Sequence, residues 1–205
     1  MSKIKLTKGE LKRQRDSLEQ FRHYLPTLQL KKQQLQLRIR DARQMLKESK
    51  ASLQQKEDKL KPWMGLLADP GVDIQPWVIP QAIKVKALNI AGANIEIFES
   101  VKFDDVVLDF FDTPLWLDHG IKRLREIVTL LIEIKIVKSE IAALQKELRI
   151  TTQRVNLFEK IKIPECSDNI RRIRIYLGDQ QSNAVGIGKV AKKKIELRDA
   201  VASGI

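Results

Sequence analysis

Residues 127–158 read IVTLLIEIKIVKSEIAALQKELRITTQRVNLF, and the reading of this stretch decides the fold. It is crowded with β-branched residues, which favour strands. Its apolar residues nevertheless keep a 3-4 spacing. Ile127, Ile134, Ile141, Leu148 and Val155 form one series, and Leu130, Val137, Leu144, Thr151 and Phe158 form the other. Only Thr151 interrupts the pattern. A heptad spacing sustained this long outweighs strand propensity and predicts a long helix with one apolar stripe.

The same pattern occurs at the start of the chain. Leu11, Leu18, Leu25, Lys32, Ile39, Leu46, Leu53 and Leu60 follow one another at intervals of seven, with Lys32 the one polar member. The companion series Gln14, Phe21, Leu28, Leu35, Ala42, Ser49 and Lys56 is apolar in its middle and polar at both ends. After Pro164 the stripe of the last arm resumes with Ile170, Ile173, Leu177, Ala184 and Ile187. Neither arm can bury its stripe alone, so the expected fold is mainly α. It is a long antiparallel two-helix coiled coil with a small β-hairpin head in the middle of the chain. A compact bundle would need Gly, Asn or Pro loops every ~15–25 residues, which the arms mostly lack.

Charge follows the same division. The 205 residues carry a formal +12, from 38 Lys plus Arg and 26 Asp plus Glu. Residues 1–61 hold 17 basic and 7 acidic side chains, residues 62–120 hold 3 and 9, and residues 121–205 hold 18 and 10. Five of seven prolines and seven of eleven aromatics lie in the acidic middle segment. The expected organisation is an N-terminal helix over 1–61, a head over 62–120, and a C-terminal helix over 121–205 with a frayed tail. Pro26 and Pro164 are expected to kink the arms. They face each other under one register of the arms and are staggered under another; alternatively Pro26 opens a new helix. Gly178, Gly186 and Gly188 put a continuous helix through 178–188 in question, or form a small-residue seam for close helix approach.

In the head the period changes to two. Ile83 and Val85 alternate with Lys84 and Lys86, Ile95 and Ile97 with Glu96, and Val101 and Phe103 with Lys102. Gly92 supplies a turn, which predicts a hairpin within about 82–103, pairing 82–90 with 94–103. Thr113 is a candidate cap for the last helix with Pro114 at its first position.

Little points to catalysis. His23 and His119 have no Cys or paired carboxylate at ligand spacing, so no metal site is expected. Cys166 stands alone, which excludes an intramolecular disulfide framework, and is read as a small core residue. Gly186-Ile187-Gly188-Lys189 fails as a phosphate loop, because Asn183 stands where the first Gly belongs and Val190 where Ser or Thr should bind magnesium. No cofactor and no nucleotide is expected. No run approaches ~18 uncharged apolar residues, and no secretory leader precedes Lys3 and Lys5, so a soluble, cytoplasmic chain is expected. Net charge alone also suits a basic coiled-coil scaffold or a nucleic-acid-associated protein. Its clusters Arg171, Arg172, Arg174 and Lys192–Lys194 lack interleaved aromatics apart from Tyr176, so a solvated helix face is the first reading, an acidic protein collar the second and nucleic acid the last.

Several stretches carry a family resemblance: Leu6-Thr7-Lys8; Tyr24-Leu25-Pro26-Thr27-Leu28; Asn89-Ile90-Ala91-Gly92 with Ile95; and Asp112-Thr113-Pro114-x-Trp116-Leu117-Asp118. Arg154-Val155-Asn156-x3-Glu159 through Ile163-Pro164, then Ile170-Arg171-x-Ile173-x3-Leu177, is the most specific. The chain resembles the D subunit, the central axle of V-type and archaeal A-type rotary ATPases, in its bacterial branch. The resemblance implies a non-catalytic rotor shaft that couples ATP hydrolysis or synthesis to ion translocation. Its implied partners are the catalytic and non-catalytic nucleotide-binding ring subunits, the F subunit of the stalk, and the socket subunit over the proteolipid ring. It implies a peripheral position on the cytoplasmic side of a membrane. Candidate partner-binding residues are Lys8, Arg13, Arg15, Arg171, Arg172, Ile187, Lys192, Lys193 and Lys194, and Asn89, Gly92 and Ile95 mark a candidate regulatory hairpin.

Overall fold

The computed structural model describes residues 4–67, 74–105, 114 and 116–202. Helix α1 spans Lys8–Leu60 and leads through one 3-10 turn, Lys61–Trp63, into the short helices α2 (Met64–Leu67) and α3 (Gln75–Val78). Strands β1 (Ala82–Ile90) and β2 (Ala93–Lys102) form an antiparallel pair. Helix α4 (Leu117–Leu157), a π turn (Phe158–Lys162) and α5 (Ile163–Ala202) follow. The fold is thus mainly α, with a two-stranded sheet in the middle of the chain. It divides into two compact units, Leu30–Thr152 and the combination of Met1–Gln29 with Gln153–Ile205.

Helix α1 starts where its chemistry permits. Thr7 Oγ1 accepts the Glu10 amide at 3.3 Å, and Glu10 stands three residues on, as a capping box requires. The helix then runs through Pro26 without a break, so Pro26 does not open a new helix. The lost backbone bond is tolerated because Phe21, Leu25 and Leu28 are each partly buried along the seam. Helix α4 begins at Leu117, whose amide donates to the Pro114 carbonyl at 3.0 Å. Pro114 therefore lies in the turn before the helix and not at its first position; Thr113 lies outside the described residues.

In the unit Leu30–Thr152, α1 and α4 run antiparallel with their heptad residues inside. Leu35, Ile39 and Ala42 from α1, and Ile134, Val137, Ile141 and Leu144 from α4, are buried. Thr151, the one break in the stripe, is buried as well, at 1% exposure. Beside the seam runs a ladder of carboxylates at every seventh residue of α4: Glu126, Glu133, Glu140 and Glu147. Each meets α1. Lys56 Nζ lies 2.9 Å from Glu126, Ser49 Oγ donates to Glu133 at 3.3 Å, Arg38 Nε to Glu140 at 2.8 Å, and Lys31 Nζ to Glu147 at 2.7 Å. A one-residue slip would rotate every one of these groups away, so the ladder fixes register as well as direction.

The hairpin leans on this pair. Ala91 and Gly92 form its two-residue loop with φ of 50° and 81°, the left-handed pair that a type I′ turn needs. Asn89 Oδ1 accepts the Gly92 amide at 3.1 Å, and its Nδ2 donates to Asn94 at 2.6 Å. Strand β2 consequently starts at Ala93, one residue earlier than the turn reading places it. Pairing passes from Lys84↔Ser100 to Val85↔Phe98, leaving Glu99 as a bulge. Ala93 and Ile95 pack with Leu35, Ile39 and Leu144 in one cluster. Ile83 and Val85 project from the opposite face and are exposed.

The other unit pairs the start of α1 with the end of the chain. The Phe21 and Phe158 rings meet in a tilted pair with centroids 4.9 Å apart, and Asn169 Nδ2 donates to Gln14 Oε1 at 3.4 Å. Pro164 lies between Phe158 and Asn169, so it stands at the level of residues between Gln14 and Phe21 and does not face Pro26. The π turn just before Pro164 has a physical cause. Continued by sevens, the two α4 series place seam residues at 162, 165, 169 and 172, yet the apolar stripe resumes at Ile170 and Ile173. A turn closed from the Ile163 amide to the Phe158 carbonyl holds one more residue than an α turn and absorbs that slip. Cys166, Ile170 and Ile173 are accordingly buried.

Helix α5 then continues unbroken to Ala202, through Gly178, Gly186 and Gly188. The helix is therefore continuous through 178–188, and of the expected frayed tail Ala200–Ala202 are helical while 203–205 lie outside the described residues. The small-residue seam is corrected, since a Cβ at any of the three glycines would meet nothing within 4 Å. Helix propensity on either side outweighs an isolated Gly, at about 1 kcal/mol each.

Candidate partner-binding surfaces

The basic residues singled out in the sequence fall into two groups. Lys8, Arg13 and Arg15 occupy the first turns of α1, and Arg171 and Arg172 lie on α5 two and three residues past Asn169, which bonds Gln14. All five are exposed. Arg13 reaches Glu10 only at 4.0 Å, with 84% of its side chain exposed. A shallow groove of about 370 Å³ lies at the same level, lined by Arg15, Leu18, Arg22, Ile170 and Arg174 among others.

Ile187, Lys192, Lys193 and Lys194 form the second group, on α5 beyond the level at which α1 begins. Every described side chain from Gly178 to Asp199 is exposed. That stretch carries Val185, Ile187, Val190, Ile195 and Leu197 at 57–71% exposure, and Lys192 makes only a loose 3.8 Å pair with Glu196. A helix of this length with apolar residues bare to water does not bury a stripe within its own chain. The arms are unequal, and the excess of the longer one is left uncovered.

The hairpin residues do different work. Asn89 and Gly92 build the turn, and Ile95 is buried at 3% against α1 and α4. A Cβ on Gly92 would stand 3.2 Å from Lys31 Nζ, the same ammonium that pairs with Glu147, so turn and ladder are in contact. At the opposite end, Arg125 of α4 donates to the carbonyls of Trp77 and Asp104. The sequence reading missed Arg125 and the carboxylate ladder. The ladder was open to discovery as a period of seven in Glu; the Arg125 contacts were not, because they are made to backbone.

Among the described residues no cluster of three or more His, Cys, Asp or Glu is placed to hold a metal ion, and no helix is long and apolar enough to cross a membrane. Burial raises the Cys166 thiol pKa, with Glu165 adding to the effect. The exposed Lys61 ammonium is raised by its hydrogen bond to Asp58.

Two helices locked in register by charge, a strapped hairpin and a bare basic overhang define a class: a helical-hairpin protein with a surface that its own chain leaves uncovered. The comparisons identify which. The chain belongs to the ATP synthase D-subunit family, whose model matches residues 10–193. It is 45% identical to the V-type ATP synthase D subunit of Borreliella burgdorferi, over 95% of this chain and 96% of that one. It is 34% identical to the protein of the same name from Chlamydia trachomatis serovar L2, over 95% and 97%. Its identity to the Chlamydia pneumoniae protein is 31%, over 96% and 95%. It is thus one component of an enzyme complex.

Proposed function

We propose that this chain is the central-stalk rotor shaft of a V-type ATP synthase, transmitting torque between ATP chemistry in a nucleotide-binding ring and ion movement across a membrane. The observation that carries the reading is the match to V-type D-subunit chains along nearly the whole length, both arms and hairpin included. The geometry supports it. A shaft must resist relative sliding of its helices, and the Glu126–Glu147 ladder supplies that resistance. It must also present a surface that no single angle holds fast, and the exposed Arg13, Arg171, Arg172 and Lys192–Lys194 supply screened, weakly paired charge.

In this reading the shaft breaks no bond itself. The bare end of α5 enters the bore of the ring of catalytic and non-catalytic subunits. The head lies towards the membrane, beside the F subunit of the stalk and the socket subunit, on the cytoplasmic side. Pro26 and Pro164, at different levels, are the places where the shaft departs from straight. The hairpin acts as a regulatory element.

Co-expression with the ring subunits tests the reading: the expected product contains one copy of this chain per ring. A ring that forms and turns over ATP yet excludes the chain under every nucleotide condition overturns it. Deleting residues 84–102 is expected to change the ATPase rate while leaving assembly intact.

A further inference from the structure

The hairpin is attached to the helices at two places by different chemistry. Its tip is held by apolar packing of Ala93 and Ile95 on Leu35, Ile39 and Leu144. Its base is held by a side chain of α4. Arg125 Nε donates to the Trp77 carbonyl at 2.8 Å, and Nη2 donates to the Asp104 carbonyl at 2.5 Å. The guanidinium carbon also lies 5.0 Å from the centre of the Phe103 ring. Trp77 belongs to α3, just ahead of β1, and Phe103 and Asp104 directly follow β2. A single planar group therefore gathers the segment entering the hairpin and the segment leaving it, and fastens both to α4. Two strands alone are marginal in water, and among the described residues one backbone bond, Gln81 amide to Lys102 carbonyl at 2.9 Å, closes the base outside the paired strands.

We propose that Arg125 is the positioning residue of the head, setting the direction in which the hairpin leaves α4. The assignment rests on geometry that few side chains can supply. Two carbonyls on separate segments need donors held at a fixed angle, and a ring face beside them needs a flat cation. Guanidinium meets both requirements; a lysine ammonium supplies the charge without the fork. The tip contacts then act on an arm whose root is fixed. Without Arg125 the arm keeps its turn and its tip packing but loses its fixed root. This inference is independent of the rotor reading and concerns the chain by itself.

The test uses the full chain with Cys166→Ala, spin-labelled through Ile83→Cys on the exposed base of β1 and Gln54→Cys on the exposed side of α1. With Arg125 present, one narrow distance distribution is expected. Arg125→Gln is expected to broaden it and to speed exchange of the Gln81 amide about tenfold or more, while amides around Leu144 are unchanged. Arg125→Lys is expected to lie between the two and keeps the test open if Arg125→Gln does not fold. An unchanged distribution in both variants overturns the proposal. So does equal acceleration of exchange at Gln81 and around Leu144, which would make Arg125 a general stabiliser of the unit.

Discussion

The two units are built from the same pair of arms, yet they spend their residues differently. The unit Leu30–Thr152 has a four-rung carboxylate ladder, two buried apolar clusters and a hairpin fastened at both ends. The other joins its helices through the Asn169–Gln14 bond and the tilted Phe21–Phe158 ring pair, takes up an extra residue in a π turn, and carries a bare helical extension. Heptad repeats alone do not tell them apart. The difference lies in the residues flanking the seam: in α4 the position before each first-series residue is Glu from Glu126 to Glu147, and then becomes Arg154. Register is locked where the ladder runs and left to packing where it stops.

The largest contrast comes from truncating one apolar residue in each unit. Leu144 is fully buried in the cluster that joins both helices to the hairpin. Leu144→Ala is expected to destabilise the chain by about 3 kcal/mol. Ile187 is 71% exposed, and Ile187→Ala is expected to fall within about 0.5 kcal/mol. Urea unfolding of both variants checks this. A large loss at Ile187 would show that the extension is covered in the free chain and would remove the distinction between the units.

Within the ladder the rungs are unequal. Glu140 has 3% of its side chain exposed and Arg38 25%, whereas Glu126 and Lys56 have 49% and 37%. Removing Glu140 leaves a partly desolvated guanidinium without its partner, so Glu140→Ala is expected to cost about 2 kcal/mol. Glu126→Ala is expected to cost under about 0.5 kcal/mol, because water replaces the lost contact. Equal effects at the two rungs would mean that burial does not set the ladder's strength.

These rungs also show how much was legible in the sequence. The seam was, because a/d spacing depends only on local helix geometry, and each seam residue from Leu11 to Leu60 is at least partly buried. The hairpin turn was legible in Gly92, which the left-handed loop demands. The π turn was present as a spacing anomaly, with Val155 and Ile170 fifteen residues apart where a strict repeat gives fourteen. Arg125 was not legible. Its partners are backbone carbonyls 48 and 21 residues away, and a carbonyl leaves no mark on residue identity. The candidate surface was read only in part. Basic clusters were visible, but their separation into a paired group and an uncovered group depends on where α5 outruns α1.

The spacing anomaly offers a sharper test of the same contrast. Deleting the exposed Lys160 removes the extra residue, so the π turn can close to an ordinary α turn while Cys166, Ile170 and Ile173 keep their faces. The expected stability change is near zero, within about 1 kcal/mol. Deleting the exposed Lys146 instead turns the residues after it by about 100° and breaks the alignment of Glu147 with Lys31. That variant is expected to lose cooperative unfolding. If deletion of Lys160 proves as harmful as deletion of Lys146, the π turn is not absorbing a slip.

The smallest expected effect separates the units by pH. Where the ladder buries a carboxylate paired with Arg38, the other unit buries the unpaired thiol of Cys166. Burial, then the nearby Glu165 charge, push its pKa above the ordinary 9.0, so the native chain keeps the thiol proton to higher pH than the unfolded chain does. The unfolded state then binds fewer protons, and stability must fall as pH rises. The contribution is whole below the ordinary value and is lost as pH climbs through the native one. The wild-type slope alone is uninformative, because it sums every group that titrates at alkaline pH. The difference between wild type and Cys166→Ala isolates the thiol, because the cavity left by the substitution adds only a constant. From about pH 7.5 to about pH 10 wild type is expected to lose stability relative to the variant. Parallel curves would mean that the thiol meets water as readily in the folded chain as in the unfolded one, and that the seam around Ile170 and Ile173 is looser than its burial implies.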